Sequence, residues 1–295
     1  MGNKENQGYR NSVFVDLFYE DETADANDIA LYNALHAEQL PEGTHIRRFR
    51  VDNVLYMNFR NDMSFGVMDK VIVFGEHQSS INKNMPLRSL MYIGRAYEQL
   101  VPVEERYKKK LIKLPTPEFY TFYNGKDICP KEEVLCLSEA FVKDPVLEGT
   151  LELKVRVINI KPEQRHELLE KCKIMHEYSL FIECVERYRA SGNPEAIKYA
   201  VKECIEKGIL KEYLKRKGSQ VENMLIAEYD YETDIKVQRN EAWEDGLEQG
   251  LEQGRVEEKR KLIEKLVRAQ KTDREIMELL ECSQSLVEDV RKMII

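Results

Sequence analysis

The 295-residue chain contains no run approaching the ~18 consecutive apolar residues of a membrane helix, so no part of it is expected to span a bilayer. Its six cysteines (Cys129, Cys136, Cys172, Cys184, Cys204 and Cys282) form no CxxC pair and no metal-ligand spacing, which argues against a zinc site. Cys172, Cys184 and Cys204 fall on the apolar stripes of helical segments, as buried free thiols in a reducing cytosol do. Phosphate-cradling GxxxxGK[ST] and GxGxxG loops are missing, and His166 and His176 lack an HExxH arrangement. No GxSxG or catalytic-cysteine signature occurs. Positive charge is not in excess either. With 45 basic and 53 acidic residues the net charge is -8, which excludes a uniformly basic nucleic-acid coat and leaves room for a local patch. Residues 1–10 are polar, unlike a secretory signal, and Asn6 stands where a myristoylation start needs Ser or Thr. A cytoplasmic location is the expectation.

What is present suffices for a core: 42% of residues are hydrophobic, and the length suggests about two domains. Two short amphipathic stretches, Ser12–Phe18 and Asp28–Leu35, open the chain. The period then changes. Segments at His45–Val51, Val54–Met57, Met63–Val67 and Val71–Phe74 read as three or four strands, the last buried on both faces. Pro86 opens a helix with a stripe of Leu87, Leu90, Met91, Gly94, Tyr97 and Leu100. Strands follow at Phe119–Tyr123, ending at an Asn124-Gly125 turn, and at Leu151–Ile158. This pattern predicts an α/β layer around a mixed sheet. Beyond Pro162 the strand signal stops. A long helix from Leu168 to about Tyr188, a second from Glu195 to Lys207, and a third piece from Ile209 to Lys217 before Gly218 are expected. The expected divisions are 1–160, a helical region 161–240, and a glycine-spaced arm with a helical hairpin at 241–295.

Candidate chemistry concentrates in Asn61-Asp62-Met63-Ser64-Phe65 and Val73-Phe74-Gly75-Glu76-His77-Gln78. Residues two apart on a strand share a face, so Glu76 and Gln78 project together while His77 faces away. A tight turn near Asp69-Lys70 makes the two strands antiparallel neighbours, which brings Asp62 beside Glu76 within reach of one ion. Two adjacent carboxylates repel and resist burial. A Mg²⁺ ion removes that cost, taking one or two carboxylates, several waters and a substrate phosphate. Gln78 is neither base nor cation; its amide suits orienting a water or a phosphate oxygen.

The sequence resembles the Rpn-type recombination-promoting nuclease and transposase-like family, within the PD-(D/E)XK phosphodiesterase superfamily. The resemblance rests on Asn61–Phe65, Glu76-His77-Gln78-Ser79, Asn84-Met85-Pro86-Leu87-Arg88 with Tyr92, Phe122-Tyr123-Asn124-Gly125, Leu137–Phe141, Val157–Ile160 and the glycine-spaced tail. It implies a restriction-endonuclease-like mixed sheet flanked by helices, and Mg²⁺-dependent cleavage of DNA. Asp62 and Glu76 would be the metal-binding acids, and Gln78 would stand where the superfamily more often has Lys. Relatives often begin the first helix with Asp-x-x-Phe; here Asn11 takes that place, leaving Asp16 or Glu20 as substitutes.

Other features support a nuclease less specifically. Arg88, in the first turn of a helix where a cation gains nothing from the dipole, suits either a phosphate contact or a salt bridge. Lys108, Lys109 and Lys110, with Lys113, form a basic loop, and Arg47, Arg48 and Arg50 a basic strand edge; both suit phosphate contacts or plain solvation. Gly246, Gly250 and Gly254 share one helical face, as expected where two helices approach closely or in a solvated arm. The hairpin at 272–290 carries too many acids to oppose phosphate and suits protein contact. The leading expectation is a Mg²⁺-dependent DNA endonuclease linked to recombination or mobile elements, acting as a homodimer because duplex cleavage needs two scissions. The rival is an inactive nuclease-fold protein that binds DNA or a protein partner through its C-terminal arm. A transposase proper, which commonly uses three spaced carboxylates, ranks behind both.

Overall fold

A computed structural model describes residues 13–36, 39–41, 43–48, 62–68, 70–142 and 151–294. The chain divides into two compact units, 1–228 and 229–295. The expected strand at 54–57, with Asn11, Arg50, Asn61 and Asp69, lies outside the described residues.

The first unit opens with helix α1 (Val13–Val15), which runs into a π-helical turn at Asp16–Glu20, and then α2 (Ala24–His36). Three strands follow: β1 (Ile46–Arg48), β2 (Met63–Val67) and β3 (Val71–Gln78). Helix α3 (Met85–Leu100) and the short α4 (Val103–Arg106) lead to β4 (Thr116–Tyr123), β5 (Glu132–Cys136) and β6 (Lys154–Asn159). The six strands form one mixed sheet in the order β1-β2-β3-β4-β6-β5. β1, β2 and β3 are antiparallel, β3, β4 and β6 run parallel, and β5 returns antiparallel on β6. β5 carried no clear sequence signal, because its burial alternates weakly and it sits at an edge, where few side chains must be apolar.

One face of the sheet packs on α3. Ile72 and Phe74 of β3, Phe119 and Tyr123 of β4, and Val155 and Val157 of β6 meet Tyr92, Ile93 and Ala96. The helix is where Pro86 predicts it, but its buried face is turned from the expected stripe. Met85, Ser89, Tyr92, Ile93 and Ala96 are inside, and Leu87 is left 42% exposed. The opposite face receives Phe14, Phe122, His77 and Tyr178 in one aromatic cluster. Burying such a ring contributes roughly 1.5–3 kcal/mol.

The expected long helix after Pro162 is two, α5 (Glu167–Lys171) and α6 (Lys173–Ala190), separated at Cys172, whose backbone is extended. Helix α7 (Ala196–Lys207) ends as predicted at Gly208, in the left-handed conformation that glycine tolerates. Gly218 does not stop the next helix. Helix α8 (Lys211–Arg268) runs through it, since one glycine costs a helix only about 1 kcal/mol, and a Cβ there would meet Val201 at 3.4 Å. The start of α8 is tied to the N-terminal segment: Tyr213 donates to Asp16 at 2.7 Å, Lys217 reaches Asp16 at 2.9 Å, and Arg216 pairs with Asp21 at 2.7 Å. Cys172, Cys184 and Cys204 are buried free thiols, as their placement on apolar stripes predicts.

In the second unit, α9 (Asp273–Leu280) and α10 (Gln284–Ile294) form the predicted hairpin. A capping box between Thr272 and Glu275 starts α9, and Ile263 of α8 closes a small core with Ile276, Val287 and Val290. Residues 241–260 are exposed throughout. No helix among the described residues is long and apolar enough to cross a membrane.

Candidate active site

The antiparallel register of β2 and β3 pairs Met63 with Gly75. The next rung sets Asp62 beside Glu76, on the face that packs against α3. Asp62 Oδ2 accepts the backbone N–H of His77 at 2.9 Å. Gly75 lets the strands close in at this point, since a Cβ there would lie 2.3 Å from Met63 Cε and 3.2 Å from Phe122.

Glu76 is 5% exposed. Burial, and then the Asp62 carboxylate, push its own carboxyl well above the usual range, while Arg88 works in the opposite direction. Arg88 Nη2 sits 3.2 Å from Glu76 Oε2 and 2.8 Å from the Tyr92 hydroxyl. Arg88 and Tyr92 come from successive turns of α3, which explains why that helix buries Tyr92 rather than Leu87. The Tyr92 hydroxyl and the Asp62 backbone N–H also lie close enough to the carboxyl to lower its proton affinity, while the other oxygen, Glu76 Oε1, is buried with no partner in hydrogen-bond geometry among the described residues.

Gln78 shares the face of Glu76, as strand alternation predicts, and its Nε2 rests 2.8 Å from Met85 Sδ at the start of α3. The loop after β4 clamps this strand end. Asn124 N–H donates to Gln78 O at 3.2 Å, and Gly125 presses so close that a Cβ would fall 1.7 Å from Ser79 O. The Asn-Gly pair thus serves close backbone approach, with no positive φ at Gly125.

His77 faces away, as expected. Its ring stacks on Phe14 at 5.3 Å and its Nε2 lies 3.1 Å from the Tyr178 hydroxyl. Burial brings its pKa down to about 4, so it stays neutral at physiological pH.

Asp16, the expected substitute for the acid absent at Asn11, gives its oxygens to Lys217 and Tyr213 and is committed there. Glu20 is exposed in the π-helical turn. Lys108, Lys109 and Lys110 form an exposed segment after α4, with Lys108 paired to Glu105. Arg48 is turned to Asp25 and Asp28 of α2.

Two further side chains near the strand ends were not singled out from the sequence. Thr121 of β4 pairs with Glu76 in the parallel register, is 1% exposed, and holds a hydroxyl without a partner among the described residues. Lys161 projects its Nζ over the Tyr123 ring at 5.8 Å, just beyond the end of β6. Neither belongs to a recognisable spacing, because each comes from a strand end remote in sequence. On the opposite face a cleft of about 380 Å³ opens beside Lys131, Arg156, His166 and Lys171, with Glu132 bridging Arg156 and His166 at 2.9 and 3.2 Å.

Among the described residues no three His, Cys, Asp or Glu side chains cluster as a metal site. Asp62 and Glu76 form a pair, which is the number of carboxylates Mg²⁺ commonly takes, with water filling the remaining positions. The buried Glu76 Oε1, which has no hydrogen-bond partner among the described residues, becomes a ligand of the kind a hard cation takes once the carboxyl gives up its proton. Comparison with protein-family models, with curated proteins and with solved structures yields no match.

Proposed function

We propose that this protein is a Mg²⁺-dependent endodeoxyribonuclease with a restriction-endonuclease-like core. The observation that carries the reading is the pairing of Asp62 and Glu76 across β2 and β3, with one buried carboxylate oxygen of Glu76 unsatisfied. The architecture supports it: helices precede three antiparallel strands, and a further helix leads to a strand parallel to the third, in keeping with the mixed sheet flanked by helices that the family resemblance implies. Mg²⁺ held by Asp62 and Glu76 would supply a water nucleophile of lowered pKa and offset charge at the phosphorus. The chain's own residues do the remainder. Arg88 keeps Glu76 ionisable in a buried setting, and Gln78, swung from Met85, would hydrogen-bond a water or phosphate oxygen. Lys108, Lys109 and Lys110 offer exposed cations to the DNA backbone, and contacts of that kind weaken steeply with salt. Duplex scission needs two such sites, which favours a homodimer assembled through the C-terminal arm, the same arm that would take a protein partner. Supercoiled plasmid incubated with protein and Mg²⁺ should be nicked and linearised, and Asp62→Ala should leave it intact; equal cutting by that variant would overturn the reading.

A second reading has its own support. Glu76 is neutralised by Arg88 and Gln78 is turned onto Met85, so the site closes upon itself. A nuclease fold retained for binding DNA or protein would look the same, and intact plasmid under every divalent cation would favour it.

A further inference from the structure

We propose that the Thr121 hydroxyl is the third protein oxygen of the divalent-cation site. The inference rests on the Asp62–Glu76 reading and names a residue that the family motifs do not. Thr121 and Glu76 are partners in the parallel β3–β4 register. Neighbouring strands lie about 4.8 Å apart, so residues paired on one face of the sheet are close neighbours. Both residues occupy the α3 face, since Phe74, Phe119 and Tyr123, which flank them at two-residue spacing, all pack there. Each buries an oxygen that meets no hydrogen-bond partner among the described residues: Oε1 of Glu76 and Oγ1 of Thr121.

One such orphan is costly, about 1–3 kcal/mol for a neutral group and more for a charged one. Two on adjacent strands and the same face point to a shared occupant that both contact. An apolar residue would fill the Thr121 position better if packing were its whole purpose, because valine has the same shape and no polar group to satisfy. A hydroxyl oxygen offers lone pairs to a cation, and with Asp62 and Glu76 it makes an all-oxygen set of the kind hard divalent ions prefer. The neighbouring guanidinium of Arg88 engages Oε2, so Oε1 and the hydroxyl are left for the ion.

The test is isothermal calorimetry of Mg²⁺ and Mn²⁺ on the parent, Thr121→Val and Thr121→Ser, with thermal melts in EDTA and in excess Mg²⁺. Thr121→Val should weaken metal binding about tenfold or more, while Thr121→Ser stays near the parent. In EDTA, Thr121→Val should melt at or above the parent, since it deletes an unsatisfied buried hydroxyl, and it should lose most of the melting shift that Mg²⁺ gives the parent. If the parent binds and Thr121→Val binds equally, the inference fails while the two-carboxylate site stands. A parent that binds neither metal overturns the underlying reading and this inference together.

Discussion

Arg88, in the first turn of α3, places its guanidinium 3.2 Å from the buried carboxylate of Glu76 on β3. The pair is a condition of the site: a carboxylate buried beside Asp62 needs a cation or a proton, and the fold supplies a cation from the adjoining helix. Removing one member of such a pair strands the other, at roughly 3 kcal/mol. Arg88→Met should therefore destabilise the protein by about that amount near neutral pH. The sign of its pH dependence follows from the raised carboxyl of Glu76. A folded-state proton affinity above the unfolded one gives stability at low pH that is lost as pH rises through the folded value. Arg88→Met pushes that value higher still, so its deficit against the parent should shrink from pH 8 to pH 5 in urea melts. A deficit constant across that range would show that Arg88 acts by packing alone.

His77 yields a second pH effect of opposite sense. Its imidazole is held down at about 4 by burial against an ordinary value of 6.5, so the unfolded chain takes up a proton before the folded one does. Stability attributable to this group is intact above about 6.5 and declines as pH falls through 4, by about 3 kcal/mol in all. His77→Phe keeps a ring between Phe14 and Tyr178 and removes the titration. Its melting temperature should fall less than the parent's between pH 6.5 and 4.5; parallel curves would contradict the assignment.

The arm supplies a third prediction. Trp243, Leu247 and Leu251 recur at four-residue spacing on α8, 68%, 49% and 58% exposed, with Gly246, Gly250 and Gly254 on the same side and open space around each glycine. Residues 241–252 carry five acids and no base, and 255–268 carry six bases against three acids. An antiparallel second copy would set acidic half against basic half and leucine against glycine. Light scattering should report a dimer for the parent and a monomer for Leu247→Glu with Leu251→Glu. A monomeric parent at micromolar concentration would remove the arm as a dimer interface.

Much of this fold is legible in the sequence wherever local pattern and burial agree. The alternation at Met63–Val67 and the apolar run before Glu76 become β2 and β3; β3 is buried as expected, while β2 is buried at every position and not on one face alone. Pro86 marks its helix and Gly208 ends another. Local signals misled where tertiary contacts decide. Gly218 reads as a stop, yet α8 passes through it because its neighbours bury Leu214, Val221 and Leu225. Leu87 reads as core, yet the demand of Glu76 for Arg88 and Tyr92 turns α3 away from it. At the site, Asp62, Glu76 and Gln78 were readable because strand alternation and a short turn fix their neighbourhood. Thr121 was not, because a parallel register forms between strands some forty residues apart through a helix, and no spacing rule reaches across it.

On the proposed reading, Asp62 and Glu76 jointly hold one divalent cation. Calorimetric titration of Mg²⁺ into the parent and into Asp62→Ala, at pH 6 and pH 8, tests it most directly. One site is expected in the parent, tighter at pH 8 because Glu76 must release its proton to bind, and no site in Asp62→Ala. Absence of binding by the parent, or equal binding by the variant, would contradict it.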